Sequence, residues 1–174
     1  MAEPTIQTIR PITKENPYRL CFVCLGNICR SPTAEGVMQH EVNHQGLSSF
    51  FEIDSAGTAA YHVGEPANSK SRKVAEEYGV KLLSTARKFE SSDLDYFDLV
   101  LAMDRQNYHN ILHLANGEAH HSKVYMLRDF DPQPDEDEVP DPYYGGINGF
   151  YHVFEVVQRS CRSLLDQLKV KIEK

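Results

Sequence analysis

The chain reads as an α/β protein: a four-stranded parallel twisted sheet with helices on both faces and a phosphate-binding loop after the first strand. Three observations predict this. Short apolar runs alternate with longer stretches of helical periodicity, as buried parallel strands joined by right-handed crossover helices require. The runs are continuous rather than alternately polar, so both faces of each strand are covered. The first run leads straight into Cys24-Leu25-Gly26-Asn27-Ile28-Cys29-Arg30-Ser31-Pro32, a tight turn that opens a helix.

Residues 1–17 show no apolar periodicity and are expected to form a flexible extension or loosely docked arm, with a single domain over 18–174. Leu20-Cys21-Phe22-Val23 is the first buried strand. Ser31 is placed to cap the following helix and Pro32 to occupy its first position, with Ala34, Val37, Met38 and Val42 on one face. Phe50–Ile53 is a second strand ending at Asp54-Ser55-Ala56-Gly57, and Asn68–Tyr78 a helix closed by Gly79. Leu99–Met103 is the third strand, with Asp104 capping a helix over Arg105–Leu114. Lys123–Leu127 is the fourth. A long acidic, proline-containing loop then spans 129–149. The last helix carries the stripe Phe150, Val153, Phe154, Val157, Cys161, Leu164, Leu165 and Leu168. No internal repeat and no second domain are visible.

A formal net charge of −7 argues against nucleic acid or an anionic membrane as partner, so any bound anion is held by a local site. No apolar run approaches the roughly 18 residues of a membrane span. The four cysteines (Cys21, Cys24, Cys29, Cys161) do not make a disulfide framework, and the polar N-terminus has no signal-peptide core; both point to the cytoplasm.

The Cys24–Arg30 turn carries the chemistry. Backbone N–H groups converging in such a loop, at a helix N-terminus, form an anion cradle. Gly26 permits a positive φ and Asn27 tolerates one. Arg30 would fork onto two oxygens of a phosphate-sized dianion, and the cradle favours the thiolate form of Cys24. That arrangement aims a nucleophile at phosphorus.

Val23-Cys24-Leu25-Gly26-Asn27-Ile28-Cys29-Arg30-Ser31-Pro32 resembles the signature V-C-x-G-N-x-C-R-S-P of the low-molecular-weight protein tyrosine phosphatases. Further matches follow in the family's order: Asp54-Ser55-Ala56-Gly57-Thr58, Phe97-Asp98, Met103-Asp104 and Asp141-Pro142-Tyr143-Tyr144, so the resemblance runs from about Tyr18 to Cys161. It implies hydrolysis of protein phosphotyrosine through a phosphocysteine, with Cys24 as nucleophile, Arg30 on the phosphate and Asp141 as general acid and then base. It implies phosphate contacts from Leu25, Gly26, Asn27, Ile28 and Cys29. Ser31 would stabilise the thiolate, and Asn27 and Ser55 would fix the loop. Tyr61, Tyr143 and Tyr144 would wall a pocket deep enough to favour phosphotyrosine over phosphoserine. Cys29 would be the redox partner of Cys24. Phosphotyrosine proteins and free oxyanions are the implied partners, with no cofactor and no metal.

One position departs from the pattern. Family members often carry a histidine two residues before Ala86-Arg87, supporting the loop asparagine; here Ser84 stands there. The shorter side chain leaves that support to Ser55 or to water, so a less rigid loop is expected. Ile28 separates the chain from phosphoarginine phosphatases, which carry threonine at that place. An arsenate reductase on the same fold needs two further redox cysteines near residues 80–100, where the chain has none. A silent phosphotyrosine-binding module would tend to lose Cys24 or Asp141. The pairs His40/His44 and His109/His113 have zinc-compatible spacing but no convincing third ligand, so exposed helix faces are expected. The acidic residues before Asp141 read as a solvated loop, or as a charge that selects against acidic peptides.

Overall fold

The computed structural model describes residues 6 and 8–174. Its strands are β1 (Tyr18–Cys24), β2 (Phe51–Gly57), β3 (Leu99–Ala102) and β4 (Val124–Met126). They form one parallel sheet in the order β2-β1-β3-β4, with Leu20 opposite both Ile53 and Leu99. The helices are α1 (Arg30–His44), α2 (Ser69–Glu77), α3 (Asp93–Tyr96), α4 (Arg105–Leu112), α5 (Glu118–His121) and α6 (Ile147–Lys169). Two of them, α3 and α5, are single turns that carry no readable periodicity.

Side-chain alternation along β1 divides the core in two. Leu20, Phe22 and Cys24 join Met38 of α1, Val74 of α2 and Phe154 of α6 on one face. Cys21 and Val23 meet Phe89, Leu94 of α3 and Ile111 of α4 on the other. Cys21 and Cys161 are fully buried core residues. The expected helix signals act as read: the Asn68 side chain accepts from the Lys70 N–H at 2.8 Å, Asp104 accepts from the Asn107 N–H at 2.7 Å, and Gly79 stops α2 with φ +76°. Ser31 differs. The Cys29 carbonyl already accepts from the Thr33 N–H and hydroxyl, so α1 starts at Arg30 and Ser31 lies inside its first turn with its hydroxyl free for other work.

Of the two forms expected for residues 1–17, the described part takes the docked one. Ile12 is 0% exposed. Its N–H donates to the Lys171 carbonyl at 2.9 Å, and the Glu173 N–H returns a bond to the Ile12 carbonyl at 2.8 Å. Arg10 grips Asp98 through two bonds of 2.9 and 2.7 Å, while Asp98 also accepts from the Arg19 N–H at the start of β1. A polar stretch with only two or three apolar residues gives no periodic signal, yet two buried isoleucines, Ile6 and Ile12, and one bidentate ion pair are enough to dock it. Residues 1–5 and 7 lie outside the described residues.

Candidate active site

Ligands of parallel sheets bind beyond the carboxyl ends of the strands, and the Cys24–Arg30 loop lies there, between β1 and α1. Asn27 takes the left-handed conformation, φ +57°, and so turns its N–H onto Cys24 Sγ at 3.3 Å. Gly26 does not use a positive φ. It is needed for space, because a Cβ there would sit 3.0 Å from the His62 ring. Gly57, ending β2, is tighter still: a Cβ would lie 2.7 Å from the Leu25 carbonyl oxygen. The loop therefore packs against the sheet through backbone on both sides.

Cys24 is 3% exposed and Arg30 2%. Ser31 Oγ lies 3.0 Å from Cys24 Sγ. Arg30 is fixed before any ligand arrives: its Nη1 donates to Asp104 Oδ2 at 2.6 Å and to the Val139 carbonyl at 3.1 Å. Asp104 thus does two things, capping α4 with one oxygen and orienting the guanidinium with the other. Arg30 Nη2 lies 3.6 Å from Asp141 Oδ2. Asp141 is held in turn by the Tyr143 N–H, 3.0 Å from its Oδ1. All three groups border one cavity, open to solvent and lined also by Leu25, Gly26, Ile28, Cys29, Tyr61, His62, Tyr143 and Tyr144.

The expected walls are thus together, with Tyr61 and Tyr144 at the mouth, 76% and 95% exposed. Tyr143 stands edge-on to Tyr144 at 4.8 Å and tilts against the His62 ring at 5.8 Å. His62 was not legible in the sequence. It is tied to Glu65 at 2.8 Å and needs the space that Gly26 leaves. Asn27, Ser31 and Ser55 do not line the cavity but stand behind it. Asn27 Nδ2 donates to Ser31 Oγ at 2.7 Å and Ser55 Oγ at 3.0 Å, and its Oδ1 accepts from the Arg87 N–H at 3.0 Å. Support of the asparagine falls to Ser55 and a backbone amide, and Ser84 is not among its partners. Behind Ser55 stands Glu35 of α1, which accepts the Ser55 hydroxyl at 2.5 Å; burial pushes its carboxyl up to about 7.

Cys29 is buried beside Cys24. Burial first, and the Cys24 charge second, push its thiol up to about 12. His40, His44, His109 and His113 are all exposed on their helices.

The acidic run is exposed over residues 132–137, as a solvated loop would be, but it is tied down by ion pairs. Asp131, with a fully buried side chain, pairs with Arg128 at 3.0 Å and Arg159 at 2.7 Å. Asp135 binds Arg128 at 2.6 Å, Asp137 pairs with Arg105, and Glu138 accepts from the Arg105 N–H at 2.8 Å. These acids anchor the segment that carries Val139 and Asp141. A buried arginine such as Arg128 needs carboxylates close by, and the run supplies them.

Residues 19–174 match the model of the low molecular weight phosphotyrosine protein phosphatase family. A low molecular weight protein-tyrosine-phosphatase of Streptomyces coelicolor is 41% identical, covering 90% of this chain and 96% of its own. The human low molecular weight phosphotyrosine protein phosphatase is 35% identical, covering 84% and 92%. The crystal structure of a protein tyrosine phosphatase from Entamoeba histolytica superposes with a TM-score of 0.85 at 41% identity, over 88% of this chain and 97% of that one. The thiol, guanidinium and carboxyl of this cavity therefore sit in a phosphoric monoester hydrolase. The chain belongs to the low molecular weight phosphotyrosine protein phosphatase family.

Proposed function

We propose that the cavity dephosphorylates tyrosine in proteins in two displacements. The Cys24 thiolate attacks phosphorus in line, while Arg30 and the N–H groups from Leu25 to Cys29 bind the equatorial oxygens. The P–O bond to the phenol breaks as Asp141 gives that oxygen its proton. Asp141 then takes a proton from the water that attacks the phosphocysteine, releasing inorganic phosphate and the Cys24 thiolate. The observation that carries this reading is the meeting of Cys24, Arg30 and Asp141 at one cavity, with the acid 3.6 Å from the guanidinium. Residues 18–174 are the catalytic unit and residues 1–17 an accessory arm. Inorganic phosphate and similar oxyanions compete in the loop. No cofactor enters the scheme.

The test is phosphate release from matched phosphotyrosine, phosphoserine and phosphoarginine substrates. Turnover of phosphotyrosine alone is expected, because the aromatic walls admit a long flat side chain. Preference for phosphoarginine would overturn the substrate assignment. Tight binding of phosphotyrosine without turnover would make the chain a binding module.

A cytoplasmic setting fits four cysteines that are all unpaired thiols. Among the described residues no helix is long and apolar enough to cross a membrane. Cys29 serves as a redox partner. Peroxide transfers one oxygen to the Cys24 thiolate to give a sulfenic acid, and the Cys29 sulfur displaces it as water to close a disulfide. The burial that keeps Cys29 protonated leaves Cys24 as the thiol oxidised first. Wild type inactivated by peroxide is expected to recover fully with a thiol reductant, and Cys29→Ser is expected not to; equal recovery would remove the role.

A further inference from the structure

Four hydrogen bonds connect the nucleophile to a carboxyl that does not line the active-site cavity. The chain runs from Cys24 Sγ to Ser31 Oγ at 3.0 Å, to Asn27 Nδ2 at 2.7 Å, to Ser55 Oγ at 3.0 Å, and to Glu35 Oε1 at 2.5 Å. Its polarity is dictated from the middle. Arg87 N–H occupies Asn27 Oδ1, so the asparagine can only donate through Nδ2. Ser31 and Ser55 each accept from it, which leaves the Ser55 proton for Glu35 and the Ser31 proton for an anionic Cys24 sulfur or for the Ala56 carbonyl. We propose that Glu35 is a positioning residue whose carboxylate closes this chain, so that its ionisation state sets the order of the phosphate-binding loop. The proposal rests on the phosphatase reading and adds a regulating group to the same site.

The charged and titratable groups that face Glu35 are Asp54 on β2, Arg87 on the strap over residues 84–89, and Cys21 on β1. Asp93 of α3 stands one ion pair further out, on Arg87. Arg87 is engaged with both Asp54 and Asp93, at 3.0 and 3.1 Å, so its pull on Glu35 as an anion is smaller than the effect of burial. Burial therefore dominates and brings its titration to about 7. Above that pH the carboxylate takes the Ser55 proton in a charge-assisted bond. Below it, a neutral Glu35 either turns its O–H onto Ser55, leaving the Ser55 proton without an acceptor, or accepts as an uncharged carbonyl. Both weaken the bond that holds Asn27. Asn27 is the residue in left-handed backbone whose N–H points at sulfur, and Ser31 has the Ala56 carbonyl at 3.5 Å as an alternative acceptor. A slack chain thus loses two donors to the thiolate together.

The test compares wild type with Glu35→Gln across pH, so that any pH dependence the two proteins share cancels in their ratio. Two quantities are read: kcat/KM for phosphotyrosine, and affinity for inorganic phosphate by calorimetry. The wild-type to Glu35→Gln ratio is expected to rise about fivefold in each between about pH 6 and about pH 8, the worth of charge assistance in one hydrogen bond. A ratio that stays constant overturns the proposal. Glu35→Ala, which removes the acceptor altogether, is expected to lower kcat/KM about tenfold at the higher pH, with melting recorded beside it; if that variant does not fold, the glutamine ratio alone decides. A changing phosphate-affinity ratio without phosphotyrosine turnover would keep Glu35 and sink the substrate reading. Turnover with a flat ratio would do the reverse.

Discussion

Cys24→Ser is expected to bind phosphate and turn over nothing, with kcat/KM for phosphotyrosine down roughly 10⁵-fold, the scale on which enzymes lose a covalent nucleophile. The reason lies in what surrounds the sulfur. Its partners are the Asn27 N–H, which can only donate, and the Ser31 hydroxyl, which donates to sulfur once the sulfur is an anion. Donors stabilise an anion that already exists, which suits a thiol. They cannot take the proton from a serine hydroxyl, which stays un-ionised at neutral pH. The oxyanion cradle is untouched, since Arg30 is held by Asp104 and Val139 and not by Cys24. Steady-state assays together with phosphate calorimetry check both halves. Residual turnover within a hundredfold of wild type would mean that another group attacks phosphorus.

Asp141→Asn is expected to lower kcat for phosphotyrosine by roughly 10²–10⁴, the usual worth of a placed general acid. The loss should depend on the leaving group. A nitrophenolate departs well without a proton and should lose least, whereas an unactivated phenolate should lose most. Asparagine keeps the volume and can still accept the Tyr143 N–H, so the loop stays in place. The measurement is kcat against leaving-group acidity for a series of aryl phosphates in both proteins. Equal losses along the series would show that Asp141 positions the substrate without protonating it.

The sequence makes the loop legible because its chemistry is local: a thiol, a glycine, an asparagine and an arginine within a few residues need no tertiary knowledge to suggest an anion cradle. Asp141 is different. It stands far along the chain among other acids, and only its match to a known pattern set it apart from them. The structure then shows several of those neighbours to be anchors, a role invisible without the buried Arg128 and the half-buried Arg159 that they meet. Ser31 carries the sequence signal of a helix cap and spends its hydroxyl on sulfur instead, because the Cys29 carbonyl starts α1 early. Gly26 was read for backbone freedom and is required for room. Glu35 and His62 gave no signal, since each gains meaning from a single partner brought close by the fold, Ser55 and Tyr143 respectively. The parallel order and the two-faced core followed from periodicity alone. The docked arm did not, because two buried isoleucines six residues apart make no period.

The clasp between Ile12 and the Lys171–Glu173 segment joins residues separated by nearly the whole chain. Contacts of that sequence separation carry the largest loop-closure entropy, and they form late in a folding reaction. The active site closes over a comparable span, since Arg30 is held by the Val139 carbonyl and Asp141 reaches it from the loop before α6. The clasp therefore fastens the first and last described segments to each other, so that fraying of either is opposed by the other.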